Sequence, residues 1–159
     1  MDDMQIVIMM GSKSDFPTME ETSKILKDFD VGYEMKVLSA HRTPKETVEY
    51  AESLKGRGVK VVICGAGGSA ALAGVVAAHT PLPVIGIPIE SVVNGMDSLL
   101  STVQMPPGVP VGAVAIGKAG AKNAAFLALR ILALADEAIA GKVDEFKEEQ
   151  RKKILQTEV

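Results

Sequence analysis

Residues 61–89, VVICGAGGSAALAGVVAAHTPLPVIGIPI, contain no Asp, Glu, Lys or Arg. A run of that length and polarity could cross a bilayer, but its punctuation argues otherwise. Gly65, Gly67, Gly68 and Gly74, then Pro81, Pro83 and Pro88, interrupt it every few residues. A single apolar helix does not carry so many breaks. A strand (59–64), a glycine loop (65–68), a helix (69–79) and a second strand (83–89) do. A β-α-β unit with no charge in it is the interior of a parallel sheet, whose strands are covered on both faces and read as continuous apolar runs.

The same alternation extends outward. Residues 5–10 (QIVIMM) form another buried run, followed by the turn GSKSD (11–15) and by Pro17, where the first turn of a helix accepts proline. Met19, Ile25, Leu26 and Phe29 continue at helical spacing. Residues 33–38 are the next strand; Thr43 caps a helix that opens on Pro44 and runs to about residue 57. Beyond residue 89 come a loop, a short helix (96–104) and a fifth strand (111–116). Strands and helices alternating at this spacing predict an α/β fold. It is a doubly wound, flavodoxin-like three-layer αβα sandwich with a five-stranded parallel sheet and extra C-terminal helices.

Those helices carry their own signal. In 124–135 (AAFLALRILALA) only Arg130 is polar, so the helix needs more cover than one sheet face, and a subunit contact would supply it. Residues 143–157 mix acids and bases as a solvated helix does, with Phe146, Ile154 and Leu155 as anchors, either on a neighbouring subunit or, at the end, fraying. With neither a repeat nor a linker, residues 1–159 read as one domain with a core of about 5–140.

Bulk composition removes several function classes. A net charge of −3 provides no field for a nucleic-acid backbone, and 4% aromatic residues provide few stacking platforms. The N-terminus opens on acids and lacks the basic segment of a signal peptide, and the single cysteine, Cys64, has no disulfide partner and no metal-ligand spacing. A reducing, cytoplasmic setting is expected, with no membrane and no bound metal.

Ligands of open parallel sheets bind beyond the carboxyl ends of the strands, where the strand order reverses. Three loops lie there: 11–15, 39–43 and 65–69. Each combines small and polar residues at a helix start, where backbone N–H groups can face an anion. Ser12, Ser14 and Ser39 add hydroxyls, and Arg42 adds a fork suited to phosphate. Asp15 suits ribose hydroxyls, because a carboxylate accepts from two neighbouring O–H groups. The set fits a ribose phosphate. Singly, each has a bland alternative: serine and aspartate as helix caps, Arg42 as a surface charge, His41 as a hydrogen-bonded structural histidine. His79 suits the electrostatics of a helix C-terminus. Competing motifs are weak. GAGGSA (65–70), with Glu90 downstream, matches a dinucleotide fingerprint but follows the third strand rather than the first. GSKS (11–14) lacks the earlier glycine of a P-loop. A receiver-type switch needs an aspartate where Cys64 and Gly65 stand, although Lys118 follows the fifth strand.

The ordered set MGSKSD (10–15), SAHRTP (39–44), GAGG (65–68), DSLLSTVQMP (97–106) and VPVGAVAIGKAGAKNAA (109–125) closely resembles the class I N5-carboxyaminoimidazole ribonucleotide mutases, a purine-biosynthesis family. The resemblance spans about residues 5–140. It implies a homo-octamer with sites near subunit contacts, a ribonucleotide monophosphate substrate carrying a carbamate, and transfer of that carboxylate to ring carbon C4 with no cofactor. It implies that His41 carries the proton, that Arg42, Ser14 and Ser39 hold the phosphate, and that Ser12 and Asp15 orient ribose and ring. The backbone of Ala66, Gly67 and Gly68 would cradle the migrating CO2.

One departure stands out. The family pattern usually reads GAGGAAHLPG; here it is GAGGSAALAG, with Ala71 for the histidine and Ala73 for the proline. His79 lies roughly 12 Å further along a helix and is a poor substitute. The AGRSN loop typical of the CO2-using class II is also absent. A CO2-dependent carboxylase, or a nucleotide-binding module without chemistry, remain the alternatives.

Overall fold

A computed structural model describes residues 4–157. Strands β1 (Met4–Met10), β2 (Gly32–Val37), β3 (Val61–Gly67), β4 (Val84–Ile89) and β5 (Gly112–Ala113) form one sheet in the order β2-β1-β3-β4-β5. Every neighbouring pair is parallel. This is the flavodoxin-like order expected from the alternation of strands and helices, with its reversal between β1 and β3. The helices are α1 (Phe16–Asp28), α2 (Pro44–Ser53), α3 (Leu72–His79), α4 (Met96–Val103), α5 (Gly117–Ala133) and α6 (Glu137–Leu155).

Side-chain alternation along β1 sorts the core into two layers. Ile6, Ile8 and Met10 join Met19, Leu26, Leu129 and Ile139 under α1, α5 and α6, while Val7 and Met9 join Ala51, Leu72 and Val76 under α2 and α3. Within residues 61–89, Val61–Gly65 of β3 and all of β4 are buried, whereas the turns between the elements and the end of α3 reach the surface at Ser69, His79, Pro81 and Pro83; no described helix is long and apolar enough to cross a membrane.

Several boundaries differ from the sequence expectation, each for a physical reason. β3 does not stop at Cys64 but continues through Gly65, Ala66 and Gly67, paired with Ile87, Pro88 and Ile89 of β4. A Cβ at Gly65 would lie 2.1 Å from Met19 Sδ, so the glycine there leaves room for that buried side chain rather than making a turn. Accordingly α3 opens at Leu72, not at residue 69. β5 is two residues long instead of six. Val114 N donates to Gly86 O at 3.1 Å, and the next rung of a parallel ladder would need an N–H from Pro88, which has none. Thr43 occupies the N-cap of α2 without a side-chain cap; its Oγ1 instead accepts from Ser39 N at 2.9 Å and donates to Ser39 O at 3.1 Å.

The C-terminal helices find much of their cover inside the chain. α5 begins at Gly117, and its small face (Ala121, Ala124, Ala125, Ala128) is fully buried, with Thr22 Oγ1 donating to Ala121 O at 2.8 Å. Helix α6 starts at Glu137, because Asp136 Oδ1 accepts from Ala138 N and Ile139 N at 3.0 and 3.1 Å, an N-cap that the sequence reading passed over. Phe146 closes an aromatic cluster with Phe29 and Phe126, ring centroids 4.5–6.0 Å apart, so the first half of α6 packs on its own chain. Leu134, Ile154 and Leu155 stay exposed.

Candidate active site

Beyond the carboxyl ends of β1 and β3 lies a cavity of about 550 Å³, the size of a small-ligand site. Of the residues singled out in the sequence, Ser12, Ser14, Asp15, Ser39, His41, Arg42, Ala66 and Gly67 all line it. Gly68 does not. It turns with a φ of 64°, donates its N–H to Ser98 Oγ at 2.9 Å and accepts at its carbonyl from Ser101 Oγ at 3.3 Å, so its backbone is already engaged.

The three loops are tied together at the cavity wall. Gly11 N donates to Gly65 O at 3.3 Å, and Arg42 Nη2 donates to Gly11 O at 2.9 Å. Arg42 Nε reaches Ser39 Oγ at 3.4 Å, and Ser39 Oγ also accepts from Arg42 N at 3.2 Å. A guanidinium has five N–H donors, so most remain for an anion even with these contacts made. Arg42 is thus held in place and still exposed.

Ser12 and Asp15 do cap a helix start. They form a reciprocal capping box around the 3-10 turn Lys13–Asp15, with Asp15 Oδ2 accepting from Ser12 N at 3.0 Å. Ser14 Oγ donates to Ser12 Oγ at 2.9 Å. Capping and cavity lining coincide here, so the two readings of these residues are compatible. Burial raises the Asp15 carboxyl above its ordinary value, against the opposing pull of the Ser12 N–H, the Arg42 guanidinium and the Gly11 N–H. The folded chain therefore holds this proton more tightly than the unfolded chain. Its contribution to stability is present at low pH and lost as pH rises from about 3.8 through the raised value. Asp15→Asn keeps the acceptor for Ser12 N and removes the charge. It should raise Tm at neutral pH by on the order of 1–2 °C, after allowance for solvent screening. The gain should shrink toward acid pH. A melt series in which it is absent at neutral pH, or grows on acidification, would refute this account.

His41 is exposed, lines the cavity and makes no hydrogen bond to any described residue. It is not a hydrogen-bonded structural histidine. His79 is different: at the last position of α3, its Nδ1 lies 3.2 Å from Glu52 Oε1 of α2, and it does not line the cavity. The dinucleotide reading fails on geometry, since Gly65–Gly67 belong to β3 and the helix does not open until Leu72.

The structure adds a wall beyond the residues assigned to the site from sequence: Ala70 and Leu72 at the start of α3, with Ala71 between them, and Glu90, Ser91 and Val92 after β4. The three loops expected from sequence follow β1, β2 and β3, and the loop after β4 was not among them. Its polar pair Glu90–Ser91, ending a wholly buried strand, was the available signal. Ala71 is the N-cap residue of α3 and lines the cavity, whereas Ala73 is buried in the helix and faces the sheet near Gly86.

A family model described as AIR carboxylase matches residues 5–153. The chain belongs to the AIR carboxylase family. Within that family it is 55% identical over 153 residues to a protein of Vibrio parahaemolyticus named N5-carboxyaminoimidazole ribonucleotide mutase, covering 96% of this chain and 95% of that one. A Bacillus subtilis protein of the same name is 55% identical over 151 residues, with 94% and 93% covered. A crystal structure of Treponema denticola PurE superposes with a TM-score of 0.86 at 33% identity, covering 96% of this chain and 94% of that chain. The AIR carboxylase match takes in all three loops of the cavity.

Proposed function

We propose that the chain is an isomerase, an N5-carboxyaminoimidazole ribonucleotide mutase of de novo purine synthesis, forming 4-carboxy-5-aminoimidazole ribonucleotide. What carries this reading is the convergence of His41, Arg42, Ser39, Ser14 and Asp15 on one cavity, in a chain 55% identical to proteins of that name. Arg42, Ser14 and Ser39 bind the phosphate, and Ser12 and Asp15 orient ribose and ring. His41 gives a proton to the exocyclic nitrogen as the carbamate N–C bond breaks, leaving aminoimidazole ribonucleotide and CO2. Carbon C4 then attacks CO2, and the same imidazole removes the C4 proton to restore the aromatic ring. One proton leaves His41 and one returns, so the net reaction is an isomerisation. An imidazole suits both roles because its ordinary pKa is near neutrality. The freedom of His41 from other hydrogen bonds supports this shuttle. The backbone of Ala66 and Gly67 borders the CO2, and Ala71 leaves open the space a larger side chain would take.

The same reading makes the chain a homo-octamer in the cytoplasm. Val92, Val93, Met96, Leu100 and Val103 expose an apolar stripe on α4 and the turn before it, and Val92, 96% exposed, also borders the cavity. A subunit contact covering that stripe would close the site's edge against CO2 escape. The exposed end of α6 offers a second contact, and the lone buried cysteine supports a reducing compartment.

The test is an absorbance assay of product formation run in parallel with the carbamate ribonucleotide and with aminoimidazole ribonucleotide plus bicarbonate. Rapid product from the carbamate supports the mutase. Preference for the decarboxylated substrate makes the chain a carboxylase. Silence with both, from a folded protein that binds the ribonucleotide, makes it a binding module.

A further inference from the structure

Within this reading of the site, and resting on it, we propose that Ser91 is a specificity-determining residue. Its hydroxyl is held by Asp97 as a pure acceptor for an N–H of the exocyclic amine on the substrate ring.

The argument begins with one proton. Ser91 Oγ donates to Asp97 Oδ2 at 3.1 Å. Ser91 lines the cavity; Asp97, in the first turn of α4, does not. A hydroxyl has a single hydrogen, so once it is committed to a carboxylate only lone pairs can face a ligand. Asp97 Oδ1 is sealed from solvent and has no hydrogen-bond partner among the described residues. If Ser91 turned its proton toward the cavity, the carboxylate would lose the side-chain hydroxyl that satisfies it. Leaving the partly buried carboxylate without that donor is costly, which keeps the hydroxyl pointed at Asp97.

The surroundings place that oxygen. Ser98 Oγ accepts from Gly68 N at 2.9 Å and donates to Ile89 O at 2.6 Å, joining the ends of β3 and β4 through one side chain. A Cβ placed on Gly68 would lie 3.8 Å from Ser91 Oγ, and one on Gly67 would lie 3.7 Å from Ser91 Cβ. The hydroxyl therefore stands against the glycine end of β3, next to where the carboxylate migrates in the proposed reaction. Arg42 presents donors to the same cavity. A ligand with an anion at one end and an N–H donor at the other matches this polarity, and an aminoimidazole ribonucleotide is such a ligand.

The experiment uses calorimetric titration with two probes: aminoimidazole ribonucleotide, and ribose 5-phosphate, which has the sugar and phosphate but no amine. Ser91→Ala should weaken binding of the first about tenfold and leave the second within about twofold. Ser91→Thr keeps the hydroxyl and should restore binding. Asp97→Ala leaves the Ser91 lone pairs but lets the hydroxyl rotate, so it should weaken the first probe by less than Ser91→Ala does, with the double variant no weaker than Ser91→Ala alone. Equal losses on both probes, no loss on either, or additive losses in the double variant overturn the proposal. If the unaltered protein binds neither probe, the functional reading itself fails. If it binds both and Ser91→Ala changes nothing, only the role of Ser91 fails.

Discussion

Replacing His41 with Asn is expected to lower turnover by about 10²–10⁴-fold while ribonucleotide affinity stays within a few-fold. The residue is exposed and makes no hydrogen bond to the described chain, so the substitution removes no structural contact and the fold should melt unchanged. Asparagine can donate and accept hydrogen bonds but cannot take and return a proton near neutral pH. In the proposed reading the phosphate and ribose contacts belong to other side chains, so binding should survive. The measurement is a single-turnover absorbance trace together with a titration of the same ribonucleotide. Retained turnover would remove His41 from the chemistry. Joint loss of turnover and binding would make it a binding residue instead.

The second large effect concerns stability, and its sign separates local from tertiary reasoning. Gly120 lies inside α5, where alanine is favoured over glycine by about 1 kcal/mol. Helix propensity alone therefore predicts that Gly120→Ala stabilises. The structure predicts the reverse. A Cβ at Gly120 would sit 1.6 Å from Ala115 O and 2.6 Å from Ala115 C, both backbone atoms that no rotamer change can move. Either the helix or the strand exit must shift, although the adjoining Ala121 and Ala124 are fully buried. We expect a loss of about 3 kcal/mol or more, read as a Tm drop of about 10 °C. Gly141→Ala in α6 is the control. Nothing lies within 4 Å of its Cβ position, so propensity should act unopposed and raise stability slightly. Equal effects at the two glycines would show that the contact with Ala115 does not constrain α5.

These two glycines also mark the limit of sequence reading here. Apolar runs broken by glycine and proline were enough to specify a parallel, doubly wound sheet, because only buried strands need such continuous hydrophobicity. Strand-end position was enough to collect Ser12, Ser14, Asp15, Ser39, His41, Arg42, Ala66 and Gly67 as one group, because parallel sheets place those ends together. Glycine itself was ambiguous. At Gly65 the residue makes room for Met19 within a strand, whereas at Gly68 it permits a positive φ in a turn, and the letters are the same. The loop after β4 was missed for a related reason. Ser91 reaches the cavity because β4 runs beside β3 to its last residue, a register that no local pattern encodes. The chain's own pattern of hydrophobicity and breaks determined the layers and most of the cavity's cast. Tertiary packing alone decided where β3 ends, how short β5 is, and which way the Ser91 hydroxyl points, since these depend on atoms brought together from distant parts of the chain.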